Sequence, residues 1–447
     1  MKTIILTYLA IFNSILTFGQ YGTLDNTFNS DGKVTTAIGV HDDFARSVAI
    51  QSDGKILLAG FSNTGFNFDF SIVRYDTDGT LDNSFGLDGI VTTAIGSSDD
   101  RGFSLAIQPD GKILLAGDYF ISNQLDFVLV RYNSDGTLDN SFGLDGIVTT
   151  AIGSVDDFVS SVAIQSDGKI LVAGYSDNGL NSDFALARYN TDGTLDNTFD
   201  VDGKVTTDFQ NQEDKARSIA IQSDGKILLA GDSSSDFAIV RYNTDGSLDN
   251  TFGQNGKTTT AVGSGTDEGN SIVIQNDGKI LLGGLTYNSI GSGFRDFAIV
   301  RYNIDGTLDN SFDFDGILIT DFGGFDDVLL SLSVQADGKI IGGGFSDPIF
   351  GGTGPDESFF ALAGYNTDGT LNNNFGVNGK VTTAIGNNSN IGNSLAIQSD
   401  GKIILGGFSF NGTNFDFAAV RYISSLNLGI IDFRKEDQYA LVYPNPV

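Results

Sequence analysis

Apolar residues in this chain come in short bursts, and no stretch shows the 3.6-residue spacing of a helix face. In the first full unit the bursts fall at residues 46–51, 55–60, 69–76 and 90–95. The second and third, which contain ILLAG and FSIVRY, are apolar on both sides, as strands covered on both faces must be. The fourth, VTTAI, carries paired threonines and suits a more exposed outer edge. Between the first two lies Ser52-Asp53-Gly54-Lys55, and Asp-Gly between strand-like runs is the strongest two-residue hairpin signal. The unit predicted is a four-stranded antiparallel meander.

That unit is written seven times. The Asp-Gly-Lys hairpin recurs at Asp53, Asp110, Asp167, Asp224, Asp277, Asp337 and Asp400. A second element, GTLDNTF or a near variant, begins at Gly22, Gly79, Gly136, Gly193, Gly246, Gly306 and Gly369. Four-stranded units of this length, repeated in a ring, are propeller blades, so the expected fold is all-β, a seven-bladed β-propeller. A parallel β-solenoid is the alternative, but its turns are usually shorter and it lacks repeated Asp-Gly hairpins. The runs GTLDxSFGxDGxV and VAIQxDGKILLAG…DFAxxRYNxDG resemble the delta-60 repeat family, and that resemblance implies the same propeller without implying an activity.

Strand order predicts how the ring closes. With SVAIQ innermost (A), ILLAG is B, the RY strand is C and VTTAI is D. The first VTTAI, at 33–38, precedes any A strand, and the last strand of the repeats is a C strand ending at Tyr422. Residues 33–38 are therefore expected to complete the last blade beside 416–422, leaving no open seam to invite edge pairing.

Charge and composition close several functional classes. Lys+Arg number 25 against 56 acids, a formal net charge of −31, and only Glu213, Glu268, Glu357 and Glu436 are glutamate. Aspartate with 58 glycines is turn chemistry. A nucleic-acid partner would be repelled by this field. The chain has no cysteine, which removes disulfides, thiolate metal sites and cysteine nucleophiles, and His41 is its sole histidine.

The two ends read as addresses. Met1-Lys2 followed by the largely apolar 4–18 and the small Gly19 has the form of a secretory signal peptide, 1–19, cleaved before Gln20. No later run reaches the ~18–20 apolar residues needed for a membrane span. The propeller is expected over 20–423. The segment 424–447 departs from the repeats, and its Leu441-Val442-Tyr443-Pro444-Asn445-Pro446 resembles the opening of the C-terminal sorting domain of the type IX secretion system. That domain family extends over several further strands. The resemblance implies delivery to the outer surface where the native gene completes the domain, and a periplasmic address otherwise.

Segment lengths single out one face. From the GTLD glycine to the next Asp-Gly or Asn-Gly is 9 residues in every copy, and from there to the hairpin Asp is 22. The span from hairpin Asp to RY alone varies, at 21, 21, 21, 17, 24, 27 and 21 residues. All variation thus lies between B and C, whose loops share a face with the D–A connections; loops on a rigid scaffold carry binding. The longest, 285–295 and 345–358, are neighbours and offer Tyr287, Phe294, Phe345 and Phe350 as ligand-binding candidates.

The D–A connections carry acidic pairs: Asp42-Asp43, Asp99-Asp100, Asp156-Asp157, Glu213-Asp214, Asp267-Glu268 and Asp326-Asp327. The readings are backbone caps, calcium ligands, or a ring of charge steering a basic partner. Asp76-x-Asp78-Gly79 echoes an EF-hand loop but fails on alignment, since Arg74 and Phe85 would hold ligand positions. Asp69, Asp126, Asp183, Asp236, Asp296 and Asp416 each precede an arginine by five residues, which suggests Asp–Arg pairing between blades. The expected function is a secreted, non-enzymatic scaffold binding a protein or glycan at the cell surface, with no cofactor required. The alternative is a carbohydrate-active enzyme with a carboxylate pair at the channel mouth, for which Asp356 and Glu357 are the acids outside the repeat pattern.

Overall fold

In a computed structural model, residues 21–287, 294–323, 326–347, 357–386 and 389–423 are described, and among them there is no helix. Seven four-stranded antiparallel sheets form the blades of a propeller. Blade 1 consists of A (Asp43–Ile50), B (Ile56–Asn63), C (Phe68–Tyr75) and D (Ile90–Thr93). Blades 2 to 6 run over 100–150, 157–207, 214–260, 267–320 and 326–383. Blade 7 takes A, B and C from Asn390–Ile397, Ile403–Phe410 and Phe415–Tyr422, and its D strand from Lys33–Thr36. Lys33 pairs with Val420 and Thr36 with Phe417, so the N-terminal strand closes the ring as expected.

The Asp-Gly hairpins differ in one detail from a two-residue turn. Gln51 N–H donates to Lys55 O and Gly54 N–H to Gln51 O, with Gly54 at φ 87°. This is a three-residue loop whose left-handed position glycine fills without strain. The D strands are also shorter than the VTTAI runs, because the N–H groups of Ile95 and Gly96 turn to the Asp100 carboxylate instead of the sheet.

The core sits between blades. Leu57, Ala59, Phe70 and Ile72 of blade 1 pack on Leu105, Ile113, Leu115 and Val130 of blade 2, all buried. The same two-blade cluster recurs around the ring, which is why B and C strands are apolar on both faces. The second threonine of each VTT run belongs to this interface: Tyr132 Oη donates to Thr93 Oγ1 at 2.9 Å, across the blade boundary. Thr93 is buried, whereas Thr92 is exposed, so only one of the pair suits an outer edge.

The Asp–Arg pairs five apart do not form. Arg74 Nε instead donates to Asp82 of GTLD at 2.6 Å, while Asp69 accepts from Thr64. Arg74 still joins blades, through Nη1 to Ser134 O of blade 2 at 2.5 Å, and its guanidinium lies 4.5 Å from the Phe85 ring centre. Lys55 shares the same carboxylate at 2.7 Å. The knot recurs in six copies, the last being Arg421 with Asp25 and Lys402. Blade 6 has Gly364 and Asn372 at the Arg and Asp places, so the pair is lost together. A Cβ on Gly364 would lie 2.8 Å from the Phe375 ring; Tyr21 packs edge-on against that ring at 4.9 Å and hydrogen-bonds Gln335.

Candidate functional site: the axial mouth

The D–A connections and B–C loops meet on one face, tied by the acidic pairs. The second member of most pairs is buried and accepts backbone N–H groups from its own loop: Asp43 from Ile38 at 2.7 Å, Asp100 from Ile95, Asp157 from Ile152, Asp214 from Phe209 and Asp327 from Phe322. The first member caps the C strand of the preceding blade: Asp42 accepts from Phe415 N, Asp99 from Phe68 N, Asp156 from Leu125 N and Asp326 from Arg295 N. In blade 5 the order inverts: Asp267 is the buried cap, and Glu268 turns towards the axis to pair with Arg217. Each of the eight aspartates considered as metal ligands thus accepts at least one backbone N–H group in this structure.

Inside this rim, each A strand carries a bulge. The register slips between Ala45 and Ser47, leaving Arg46 unpaired, and the same slip recurs in all seven A strands. The glycine opposite is required: a Cβ on Gly60 would sit 1.9 Å from Phe44 O. The bulged residues are Arg46, Phe103, Ser160, Arg217, Asn270, Leu330 and Asn393, and together they line a cavity of about 290 Å³. One residue from every blade places that cavity on the ring axis. Asp118, Phe158 and Tyr175 complete its wall.

The mouth has an aromatic side and a charged side. Around blades 7 and 1, Phe44 lies 4.9–5.9 Å from the rings of Phe61, Phe68, Phe408 and Phe415. The Arg46 guanidinium sits 5.4–5.8 Å from the Phe44, Phe61 and Phe408 ring centres, and its Nε is buried without a hydrogen-bond partner. Burial, with Arg101 adding repulsion, pushes the Arg46 pKa down to about 10. On the other side Arg217 is held by Asp232 at 2.8 Å and Glu268 at 3.0 Å. Asp118 accepts the Val159 N–H at 2.5 Å, and burial pushes its carboxyl well above the ordinary range. Phe158 stacks on Tyr175 with ring centres 4.8 Å apart.

The loop residues singled out from sequence are scattered by comparison. Tyr287 ends the B strand of blade 5 and is 41% exposed, and Phe294 stands partly buried just before the C strand. Phe345 belongs to a strand rather than a loop: it pairs with Val328 and Phe360, at the position Phe61 holds in blade 1. Phe350 and Asp356 lie outside the described residues; Glu357 is half-buried at the entry to the C strand of blade 6. His41 lies exposed on the rim, where its carbonyl accepts from Asn414 at 2.6 Å. The chemistry of the mouth, Arg46, Asp118, Tyr175, Arg217 and Asp232, was legible only as variation. Three columns change identity most from repeat to repeat: the bulged position, the residue two before it (Phe44, Arg101, Phe158, Lys215, Glu268, Val328, Ile391) and the residue after the B-strand glycine (Phe61, Asp118, Tyr175, Asp232, Leu285, Phe345, Phe408).

Six segments, residues 51–85, 108–142, 165–199, 222–252, 275–312 and 398–425, match the profile of a domain of unknown function (DUF5122) described as a β-propeller. The chain thus carries β-propeller repeats by sequence as well as by fold. No curated protein matches it. Among solved structures, a catalytically inactive virginiamycin B lyase from Staphylococcus aureus with quinupristin is similar at 12% identity and TM-score 0.49, over 87% of this chain and 98% of the other. The polysaccharide lyase Uly1 is similar at 12% identity and TM-score 0.48, over 88% and 91%. A gluconolactonase from Xanthomonas campestris, XC5397, is similar at 12% identity and TM-score 0.34, over 70% and 90%. These similarities concern fold.

Proposed function

We propose that this chain is a secreted or cell-surface, non-enzymatic propeller of the delta-60 repeat kind, binding a protein or glycan ligand at the axial mouth. The observation that carries the reading is Arg46: a half-buried arginine whose Nε is buried and unpartnered, held among phenylalanine rings in a cavity whose wall departs from the repeat. A buried N–H donor without a partner costs stability unless a ligand uses it, and ligand sites combine apolar walls with a few placed polar groups. The signal-like 1–19 and the type IX sorting resemblance of 441–446 support an address outside the inner membrane. Binding of the purified chain to glycan arrays and to extracellular protein libraries tests the reading. Arg46→Met should weaken any specific ligand at least tenfold without lowering the melting temperature of the free chain; ligands indifferent to Arg46 would sink it.

A second reading, a carbohydrate-active enzyme, draws on Asp118. This acid lies outside the repeat pattern, faces the mouth and has a raised pKa, as a general acid requires. Polysaccharide breakdown abolished by Asp118→Asn would favour that reading over a scaffold.

A further inference from the structure

Five of the seven D strands are followed by alanine: Ala37, Ala94, Ala151, Ala261 and Ala384. The other two are followed by Asp208 and Asp321. At these two places alone, among the described residues, three carboxylates converge. Asp183 on the C strand of blade 3, Asp208 after its D strand and Asp214 on the A strand of blade 4 each bring one oxygen within 4.8 Å of the others. Asp296, Asp321 and Asp327 repeat the arrangement between blades 5 and 6.

Proximity of acids is not by itself a site. The second observation is that Asp214 and Asp327 are fully buried, and each keeps one oxygen, Oδ1, with no hydrogen-bond partner; Asp183 Oδ1 is likewise buried and unpartnered. The other oxygens of Asp214 and Asp327 accept the Phe209 and Phe322 N–H groups. The ammonium groups of Lys257 and Lys380 reach the backbone carbonyls of Asp208 and Asp321 beside the two clusters.

We propose that the junctions between blades 3 and 4 and between blades 5 and 6 each bind one Ca²⁺. Calcium–oxygen distances of roughly 2.3–2.6 Å let two oxygens on one ion lie up to about 5 Å apart, which matches the spacing of the triads. Calcium takes oxygen ligands in flexible geometry and completes its shell with water, whereas Mg²⁺ demands near-ideal octahedra and fits a preset triad less well. Asp208 and Asp321 are exposed, so the ion has a way in from solvent. Because the ligands come from the C strand and D–A loop of one blade and the A strand of the next, the ion ties two blades together. The acidic pairs elsewhere on this face lack the third carboxylate and remain caps.

The test is calcium titration of the EDTA-stripped full chain by calorimetry, with melts in parallel. Two sites are expected in the native chain, one in Asp208→Ala and none in Asp208→Ala/Asp321→Ala. Alanine is what the other five junctions hold, so these variants retain the repeat's own local structure; Asp208→Asn, which keeps side-chain shape, gives a second check. The calcium-dependent rise in melting temperature should shrink in each single variant and vanish in the double. Arg46→Met should keep both sites, which separates this inference from the fate of the proposed ligand. Absence of calcium uptake by the native chain, or two sites surviving in the double variant, overturns the proposal. A double variant that is stabilised in EDTA, with no calcium bound by the native chain, would show the triads to be proton-sharing acids instead.

Discussion

The knot of Arg131, Asp139 and Lys112 makes the most decisive target, because blade 6 supplies its own control. Asp139 Oδ2 accepts Arg131 Nε at 2.7 Å and lies 3.0 Å from Lys112 Nζ, while Oδ1 accepts the Ser141 N–H at 3.1 Å and Oγ–H at 2.7 Å. Burial opposes its charge, yet the bonds from Ser141 and Lys112 and the Arg131 guanidinium hold the carboxyl far below the usual range. Arg131 is 5% exposed and reaches Thr191 O of blade 3. Asp139→Ala leaves that guanidinium buried without its counter-ion, which should cost about 3–5 kcal/mol. At roughly 2.1 cal/mol/K per residue over a ring of about 400 residues, that is a fall in melting temperature of about 4–6 °C. Asn372→Ala removes the equivalent side chain where Gly364 leaves no arginine to orphan; only the turn bond from Asn374 N–H is lost, worth about 1 kcal/mol. Urea unfolding of both variants, with Arg131→Met/Asp139→Ala closing a double-mutant cycle, measures the difference. Equal costs for Asp139→Ala and Asn372→Ala would refute the ionic account and leave the acid a mere turn cap.

Removing residues 21–39 strips the D strand of blade 7 and the Asp25–Arg421 pair, and should destabilise the whole ring; an unfolding transition of unchanged midpoint would refute closure as a source of stability. Asp43, Asp214, Asp296 and Asp327, lifted to about 6–7 mainly by burial, bind protons more tightly folded than unfolded. Stability in EDTA should therefore rise as pH falls from about 7 towards 4, then drop below about 4 as the low-lying knot acids lose their charge; a steady decline from pH 7 to 4.5 in a series of melts would contradict this. Tyr21→Ala, which empties the space beside Phe375 and frees Gln335, should cost about 2–4 kcal/mol by urea titration, against under 1.5 for Tyr21→Phe.

The candidate site was only partly readable beforehand. The face that bears the variable loops followed from arithmetic, because fixed turns and variable loops must lie at opposite ends of a meander. The loops themselves drew attention away from the centre of that face. Arg46 and Arg217 read as ordinary members of half-buried strands, since nothing in a linear pattern marks a residue as bulged. The bulge exists because Gly60 and its equivalents let the neighbouring carbonyl approach, and that is a relation between two strands.

Local physics wrote the blade. Asp-Gly hairpins, doubly apolar B and C strands and an orphan D strand at the N-terminus are short-range or counting features, and from them the seven-bladed ring and its closing strand both follow. Pairings across chain reversals were a different matter. Five-residue spacing put the aspartates of the Asp69 column forward as partners of the Arg74 column across blades, but the turn after Tyr75 folds Asp82 back onto the guanidinium instead. The carboxylates of Asp183, Asp208 and Asp214 belong to a C strand, the loop after the D strand and the A strand of the next blade, and no single strand period brings them together. Sequence repetition dictates what each blade must be; which charges meet depends on how blades face one another, because Coulomb and hydrogen-bond energies act over a few ångströms of space rather than along the chain.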